Sequence, residues 1–588
     1  MSQNKLQKLE LTWISKGDEP KLEPRILIEN PEYSYGAPNS ENVLIHGDNL
    51  LALKALEQDY AGKVKCIYID PPFNTGAAFE HYEDGLEHSI WLDLMFKRFK
   101  ILHKLLSKEG VLFVHLDDNE AAYCKVLLDE VFGRINYVNH IINATNKPFG
   151  FKSTSTALFK QANHIFFYAK HKTSFQLNTN KLFIEKAYDT AYNNVFENTD
   201  KPESEWTWRH INEVVAEKLG YNSTREAKQT LKDEFESEVA QFALENADRV
   251  FQTASVTGGA YNKRKSTVDK SKEVKDKIMR HPDDDMYYMF IGGRRVIFYL
   301  ERLKEIDGMR LPGELITDIW SDISIEALAK EGGVDFPKGK KPEKLIERCI
   351  EISTEEGDIV LDSFLGSGTT AAVAHKMQRR WIGVEIGNQA YSHCFKRLSK
   401  IVDGKDKSGV TKAQHWQGGG GFKFYTLAPS LLQKDKYGNW IIENKYNSSM
   451  LAAAMAKQEG FKYQPHESLY WKQGFSTEQD FIYTTTQFIT VKSLDRIYEE
   501  MKLGESLLIC CKSFQKECKG KYSNITIKKI PQMLLGRCEF GKEDYSLNIV
   551  NMPVDETEQD KDTKEDISIQ EISNKTSKKS NSQTTLFD

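Results

Sequence analysis

The sequence predicts an α/β protein: a parallel sheet covered by helices, split by an inserted domain and followed by a smaller α+β domain. Three observations predict it. Apolar β-branched runs alternate with helical spacing over residues 41–170. The alternation stops near residue 171 and resumes near residue 336. A glycine run at 418–421 and a composition change after Met552 then mark further boundaries. Strands alternating with helices imply a parallel sheet with helices on its faces.

Residues 1–40 are polar and punctuated by proline, and read as an N-terminal arm. Residues 41–170 read as the first half of the sheet: VLIHG as a strand, Leu50 to Gln58 as a helix, and KCIYID as a strand running into Asp70-Pro71-Pro72-Phe73. A helix is predicted over 89–106, a buried strand at GVLFVHL, a helix over 119–132 and a strand at HIFFYAK. Residues 171–335 are polar and irregular and read as the insertion. The rhythm returns over 336–403, with a helix from Pro342 to Ile352, the strand DIVLD, a Gly-rich turn, a helix from Thr369, the strand RWIGVEI and a helix from Asn388 to Ile401. Residues 404–421 read as a flexible Gly-rich linker and 422–550 as a C-terminal domain. Residues 551–588 hold nine acidic and five basic residues and one aromatic, a composition that reads as a disordered tail.

Composition excludes several function classes. The chain is 28% charged with a formal net charge of −5, so a nucleic-acid surface has to be local. No apolar run approaches the roughly 18–20 residues of a membrane span, and MSQNKLQKLELTW has no apolar signal core, so a cytoplasmic protein is expected. The eight cysteines form no C-x-x-C pair, and no metal-site signature is present, so buried thiols and no metal are expected. No phosphate loop is found: after Gly404 to Gly409 comes Val410 where lysine is required.

Two motifs carry chemistry. Asp70-Pro71-Pro72-Phe73 ends a predicted strand, where open α/β sheets bind ligands. Two prolines stiffen the turn and remove two N–H donors. What remains are acceptors, the Asp70 carboxylate and the Pro71 carbonyl, suited to a planar amino group, with Phe73 as a stacking face. The second motif, Asp362-Ser-Phe364-Leu-Gly366-Ser-Gly368-Thr369-Thr370, joins a strand to a helix. Glycines admit a ligand close to the backbone and the helix start favours an anion. Glu385 ends the next strand, where an acid accepts hydrogen bonds from ribose hydroxyls. Gly366-Ser-Gly368-Thr-Thr-Ala371 also fits a dinucleotide fingerprint, which keeps a nicotinamide oxidoreductase as an alternative.

Together these motifs resemble the amino-methyltransferases of DNA, over residues 41–403. Their order, D-P-P-F first, then a long insertion, then F-x-G-x-G, is similar to the β group of that family. The resemblance implies a Rossmann-like S-adenosylmethionine-dependent methyltransferase sheet interrupted by a target-recognition domain. It implies catalytic roles for Asp70, Pro71, Pro72 and Phe73, and cofactor contacts from Asp362, Phe364, Gly366, Gly368, Thr369 and Glu385. Lys341-Pro342 match the motif that helps to hold the methionine end, and Asp48 a segment near the adenine. IHGDNLLALKAL, YIDPPFNTG, LFVHLDDNE and GGGGFKFYTL resemble, more narrowly, the modification subunit of type III restriction–modification systems. That likeness implies N6-methylation of adenine in double-stranded DNA, a homodimer and a separate helicase–nuclease subunit. A stand-alone DNA amino-methyltransferase is the nearer alternative.

Other candidates are local. Residues 261–282 carry eight basic and three acidic residues, and Lys263, Arg264 and Lys265 open the run as expected phosphate contacts. Trp206 and Trp208 read as core aromatics that also have the shape to stack on bases, with Arg209 beside them. The sequence names no acceptor for the departing proton; His46, His81 and His115 are candidates by their place near the motifs, and a structural role is the alternative reading of each. The C-terminal Gln583, Leu586 and Phe587 resemble the short peptide by which bacterial proteins dock on the polymerase sliding clamp.

Overall fold

The computed structural model describes residues 10–72, 86–144, 161–282, 288–306, 308–323, 328–336 and 339–545. It divides into two compact units, residues 178–317 and the remainder. The insertion is therefore narrower at both ends than residues 171–335. The expected tail at 551–588 lies outside the described residues.

The larger unit is built on one long sheet. Its strands run in the order Leu27–Glu29, Gly421–Leu427, Val43–His46, Arg380–Glu385, Ile359–Asp362, Val64–Ile69, Leu106–Leu116, Ala162–Ala169, Tyr137–Ala144 and Ile319–Trp320. From Gly421–Leu427 to Leu106–Leu116 every pairing is parallel. The central runs are buried on both faces, as Val, Ile and Leu runs in a covered parallel sheet are. Helices Asn49–Tyr60, Leu86–Leu105, Glu343–Glu351 and Thr369–Lys376 connect or flank them.

Three expectations need correction. HIFFYAK belongs to a strand that pairs antiparallel with both neighbours, so the sheet is mixed. The N-terminal arm supplies strands Leu27–Glu29 and Tyr35–Gly36 to the sheet and buries Trp13 and Arg25. The segment 404–421 is no free linker: a Cβ on Gly418 would lie 2.8 Å from the Gly404 nitrogen. Gly421 opens a strand that joins the methyltransferase-like sheet beside Val43–His46, so the C-terminal domain starts beyond that strand. That domain holds a five-stranded sheet and helices Ser448–Gln458 and Val491–Glu500.

The smaller unit has a six-stranded antiparallel sheet, a three-stranded sheet and helices that include Gly258–Glu273. Trp206 and Trp208 pack around Phe196 in its core, and Arg209 bridges Glu197 and Glu217.

Candidate active site

Four adjacent parallel strands present acids at their carboxyl edge. Asp48 follows Val43–His46, Glu385 ends Arg380–Glu385, Asp362 ends Ile359–Asp362, and Asp70 follows Val64–Ile69. Burial pushes all four carboxyls above their ordinary range. Asp362 is pushed up to about 7: hydrogen bonds from Thr370 and Phe364 oppose the shift, and the charges of Asp70 and Glu385 add to it.

The four acids do different work. Asp48 Oδ1 caps the helix Asn49–Tyr60 through the Leu51 N–H at 3.0 Å, and Oδ2 accepts the Tyr545 N–H at 3.1 Å beside Arg98. Its carboxylate thus caps a helix, at the strand end where the resemblance puts a segment near the adenine. Asp362 accepts the Phe364 N–H at 2.8 Å and the Thr370 hydroxyl at 2.6 Å, fixing the turn from strand to helix. Glu385 accepts the Gly366 N–H at 2.7 Å and the Gly387 N–H at 2.9 Å. Carboxylate oxygens have further lone pairs, so it retains acceptor capacity for hydroxyls.

The turn between Asp362 and Thr369 has an open side. Phe364 and Gly366 are its partly exposed members, and a Cβ on Gly366 would meet nothing nearer than Phe364 O at 3.9 Å and Phe336 Cζ at 4.0 Å. That is a cradle with room for a ligand against backbone. Gly366 has φ +54, which favours glycine. Gly368 faces inward: its Cβ would lie 3.3 Å from Cys394 Cα, so it serves packing. Thr369 is buried, and its hydroxyl accepts from Arg397 at 2.9 Å. These two expected cofactor contacts are therefore interior supports.

Asp70 stands at the other end of the edge. Lys341 Nζ lies 2.7 Å from Asp70 Oδ2, while Oδ1 is buried without a hydrogen-bond partner among the described residues. Burial raises the Asp70 carboxyl, Lys341 opposes that rise, and Asp117 adds to it. Pro71 and Pro72 follow, and the Pro72 carbonyl accepts from Trp91 Nε1 at 3.0 Å, which fixes the turn to the helix Leu86–Leu105. Phe73 and His81 lie outside the described residues. Pro342 caps the helix Glu343–Glu351 in extended conformation. His115 pairs with the Tyr68 hydroxyl at 2.7 Å, and burial holds its imidazole far below the usual range. His46 meets the Tyr391 hydroxyl at 3.2 Å and is likewise lowered by burial.

Sequence reasoning missed a buried charge network behind the loop. Arg397 donates to Ser367 O at 3.3 Å, Thr369 Oγ1 at 2.9 Å and Glu343 Oε1 at 2.7 Å. Glu343 Oε2 accepts Lys376 Nζ at 2.8 Å and the Val410 N–H at 3.0 Å, and Asp406 pairs with Lys376 at 2.7 Å. No local pattern announces it, because these residues sit where solvent-facing charges are ordinary. Asn49 adds a link from the opposite side, donating to Ser363 O at 2.7 Å.

In the smaller unit, Lys263 and Lys265 are exposed on the helix Gly258–Glu273. Arg264 is buried, with its guanidinium 3.8 Å from the Tyr288 ring centroid, and Arg295 stacks on the same ring at 4.1 Å. The expected phosphate contact from Arg264 is corrected to a packing role. Among the described residues no cluster of His, Cys, Asp and Glu is arranged for a metal, and no helix is long and apolar enough to cross a membrane.

The sheet thus carries an open backbone cradle at one strand end and an Asp-Pro-Pro turn at the end of the neighbouring strand. Residues 64–396 match the model of the N6/N4 DNA methylase family, and the chain belongs to that family. It is 34% identical over 439 residues to the probable type III restriction-modification enzyme HindVI Mod subunit of Haemophilus influenzae, covering 68% of this chain and 56% of that protein. It is 25% identical over 478 residues to the EcoP15I Mod subunit of Escherichia coli, covering 68% and 67%. The match thus spans little more than half of the Haemophilus protein. A putative DNA modification methylase of Thermus thermophilus complexed with S-adenosyl-L-methionine aligns at 15% identity and TM-score 0.30, over 65% of this chain and 97% of that one.

Proposed function

We propose that the chain transfers a methyl group from S-adenosylmethionine to the N6 amino group of adenine in duplex DNA, as the modification subunit of a type III restriction–modification system. The observation that carries this reading is the Asp70 turn. A half-buried carboxylate whose buried oxygen is unpaired among the described residues, followed by two residues without N–H groups, sits on the sheet edge that also bears the Gly366 cradle. Family membership supports it, and the nicotinamide alternative finds no support among the relatives.

The residues fit the cofactor. Gly366 leaves room at the backbone, Phe364 offers an apolar face, and Glu385 keeps acceptor capacity at the strand end. When bound, S-adenosylmethionine supplies an electrophilic methyl group. The chain's own part is to bind and orient the amine. Asp70 and the Pro71 carbonyl accept its two N–H groups, which turns the nitrogen lone pair out of conjugation with the ring. Phe73 stacks on the base, which must leave the helix stack to reach the site. Placing the reactants at contact distance supplies much of the rate.

Lys263 and Lys265 hold phosphates in this reading. The protein works as a homodimer with a separate helicase–nuclease subunit, and Gln583, Leu586 and Phe587 tether it to a sliding clamp. Incubation with tritiated cofactor and genomic DNA, followed by nucleoside mass spectrometry, tests the central claim. N6-methyladenine is the expected product; N4-methylcytosine or no product overturns it. Light scattering tests the dimer, and anisotropy titration of a 579–588 peptide against the clamp tests the tether.

A further inference from the structure

At the opposite edge of the sheet from Asp70 and Gly366 lies a cavity of about 830 Å³. Val43, Ile359 and Arg380, the first residues of their strands, line it at the sheet. The last turn of the helix Asn49–Tyr60 forms a second wall, and the helix Ser448–Gln458 of the C-terminal domain a third. Gln58 Nε2 donates to Phe461 O at 3.1 Å and ties the second wall to the third. Small-molecule sites occupy roughly 300–1,000 Å³, so the space is ample for one ligand.

The charges round this cavity are unevenly matched. Arg380 is engaged by Glu41 at 3.1 Å and by Gly357 O at 2.8 Å. What remains on the lining is Lys63, Lys457 and Lys462 against Asp59. Lys63 and Lys462 are exposed, whereas Lys457 is partly buried. Its helix sinks Leu451, Ala454 and Met455 into the domain core, so the backbone that carries it is held. The ammonium makes no hydrogen bond or ion pair among the described residues. Burial pushes it below the ordinary lysine value, and the charge of Asp59 opposes the shift. A desolvated cation without a close counter-ion is costly, and an anion in the cavity relieves that cost. Tyr60 and Tyr425, also partly buried, have hydroxyls without a hydrogen-bond partner among the described residues. Each hydroxyl is a donor for an anion, and each ring is a platform on which a base can stack.

We propose that this cavity binds a free nucleoside 5′-phosphate. The phosphate meets Lys457 and a tyrosine hydroxyl, the base lies along the tyrosine rings, and Asp59 accepts from the ribose hydroxyls. An inorganic anion would leave the rings uncovered, and an aliphatic one would leave the hydroxyls unpaired. Lys63 and Lys462 add a positive field at the exposed side. No bond forms or breaks. The site stands at the other edge of the sheet from the Gly366 cradle and does not depend on the methyl-transfer reading.

Isothermal titration of the full chain with adenosine 5′-monophosphate and with adenosine tests it. S-adenosylhomocysteine is present at saturation, so that neither probe reads the Gly366 cradle. The nucleotide is expected to bind, and Lys457→Met to weaken it roughly ten- to hundredfold, the range for a hydrogen bond to a charged group. Adenosine lacks the phosphate; it is expected to bind more weakly and to be unmoved by Lys457→Met. Tyr425→Phe keeps the ring and is expected to cost the nucleotide roughly two- to tenfold. Absence of nucleotide binding, or nucleotide binding indifferent to Lys457, overturns the site. An equal loss for both probes overturns it too, and makes Lys457 a charge that serves the end of its own helix. A 5′-phosphorylated trinucleotide that binds more tightly than the mononucleotide assigns the cavity to a strand end and overturns the free ligand. Lys457→Gln repeats the comparison if Lys457→Met fails to fold by circular dichroism. A wild type that fails to bind S-adenosylhomocysteine counts against the cofactor reading and not against this site.

Discussion

The Gly366 N–H donates to Glu385 Oε2 at 2.7 Å, across 19 residues of sequence, and so closes the Gly-rich turn against the end of the neighbouring strand. Gly387 donates to the other oxygen at 2.9 Å. Glu385→Ala removes both acceptors together with the acid proposed to meet the ribose. Hydrogen bonds to charged groups are worth about 1.5–3 kcal/mol, so cofactor affinity is expected to fall roughly 10- to 100-fold. Isothermal titration with S-adenosylhomocysteine measures it; unchanged affinity places the nucleoside elsewhere.

The two loop glycines are expected to separate in their effects. Gly366→Val projects methyl groups into the open cradle and abolishes cofactor binding. Gly368→Val drives a side chain toward Cys394, whose Cα would lie 3.3 Å from the new Cβ, at a φ of +83. Its first effect is lost stability, by about 1–3 kcal/mol as overpacking costs. Thermal melts beside ligand titrations distinguish them. Both glycines have a positive φ, so both valines cost backbone strain; cofactor affinity unchanged by Gly366→Val contradicts the open cradle.

Asp70→Ala is expected to abolish methyl transfer while leaving cofactor affinity within about tenfold, since Asp70 acts mainly on the amine. A tritium-transfer assay beside the titration decides it. Retained turnover removes Asp70 from the mechanism.

Much of this site was legible in the sequence because its strands are short apolar runs that stop at unusual residues: KCIYID stops at two prolines and DIVLD at a glycine turn. The arm and the Gly421–Leu427 strand were not legible, because their pairing is remote: Leu27 lies opposite Leu427. A three-residue strand has no signature until its partner is known. Arg264, Arg397 and Lys376 escaped for a related reason. Charged residues in helices read as solvated, and only the fold shows that Arg264 is covered by Tyr288 and that Arg397 is met by Glu343.

Arg264 and its neighbours are expected to respond differently. Lys263→Ala with Lys265→Ala should lower the log–log salt slope of DNA binding by roughly one per lost phosphate contact. Arg264→Ala should instead unfold the smaller unit at lower denaturant, because it removes a buried guanidinium from the Tyr288 face. Anisotropy titrations at several salt concentrations provide the slope. A slope unchanged by the double lysine variant makes these residues bystanders.

The last prediction concerns pH and Asp362. Its ordinary value is 3.8, and burial in the folded chain pushes it up to about 7. Between those values the unfolded chain has released the proton and the folded chain retains it. The folded state then binds more protons, so stability falls as pH rises from about 4 to about 7 and is flat above. The full span corresponds to an order of 4 kcal/mol. Asp362→Asn cannot ionise. Its side-chain oxygen still accepts the Phe364 N–H, and the Thr370 hydroxyl can rotate to accept from the amide. The variant is therefore expected to lose this part of the pH dependence and to gain stability relative to wild type at pH 8 more than at pH 5. Denaturant midpoints across that range measure the difference. A parallel pair of curves would mean that Asp362 is already ionised in the folded chain at pH 5, and that the hydrogen bonds from Phe364 and Thr370 outweigh its burial.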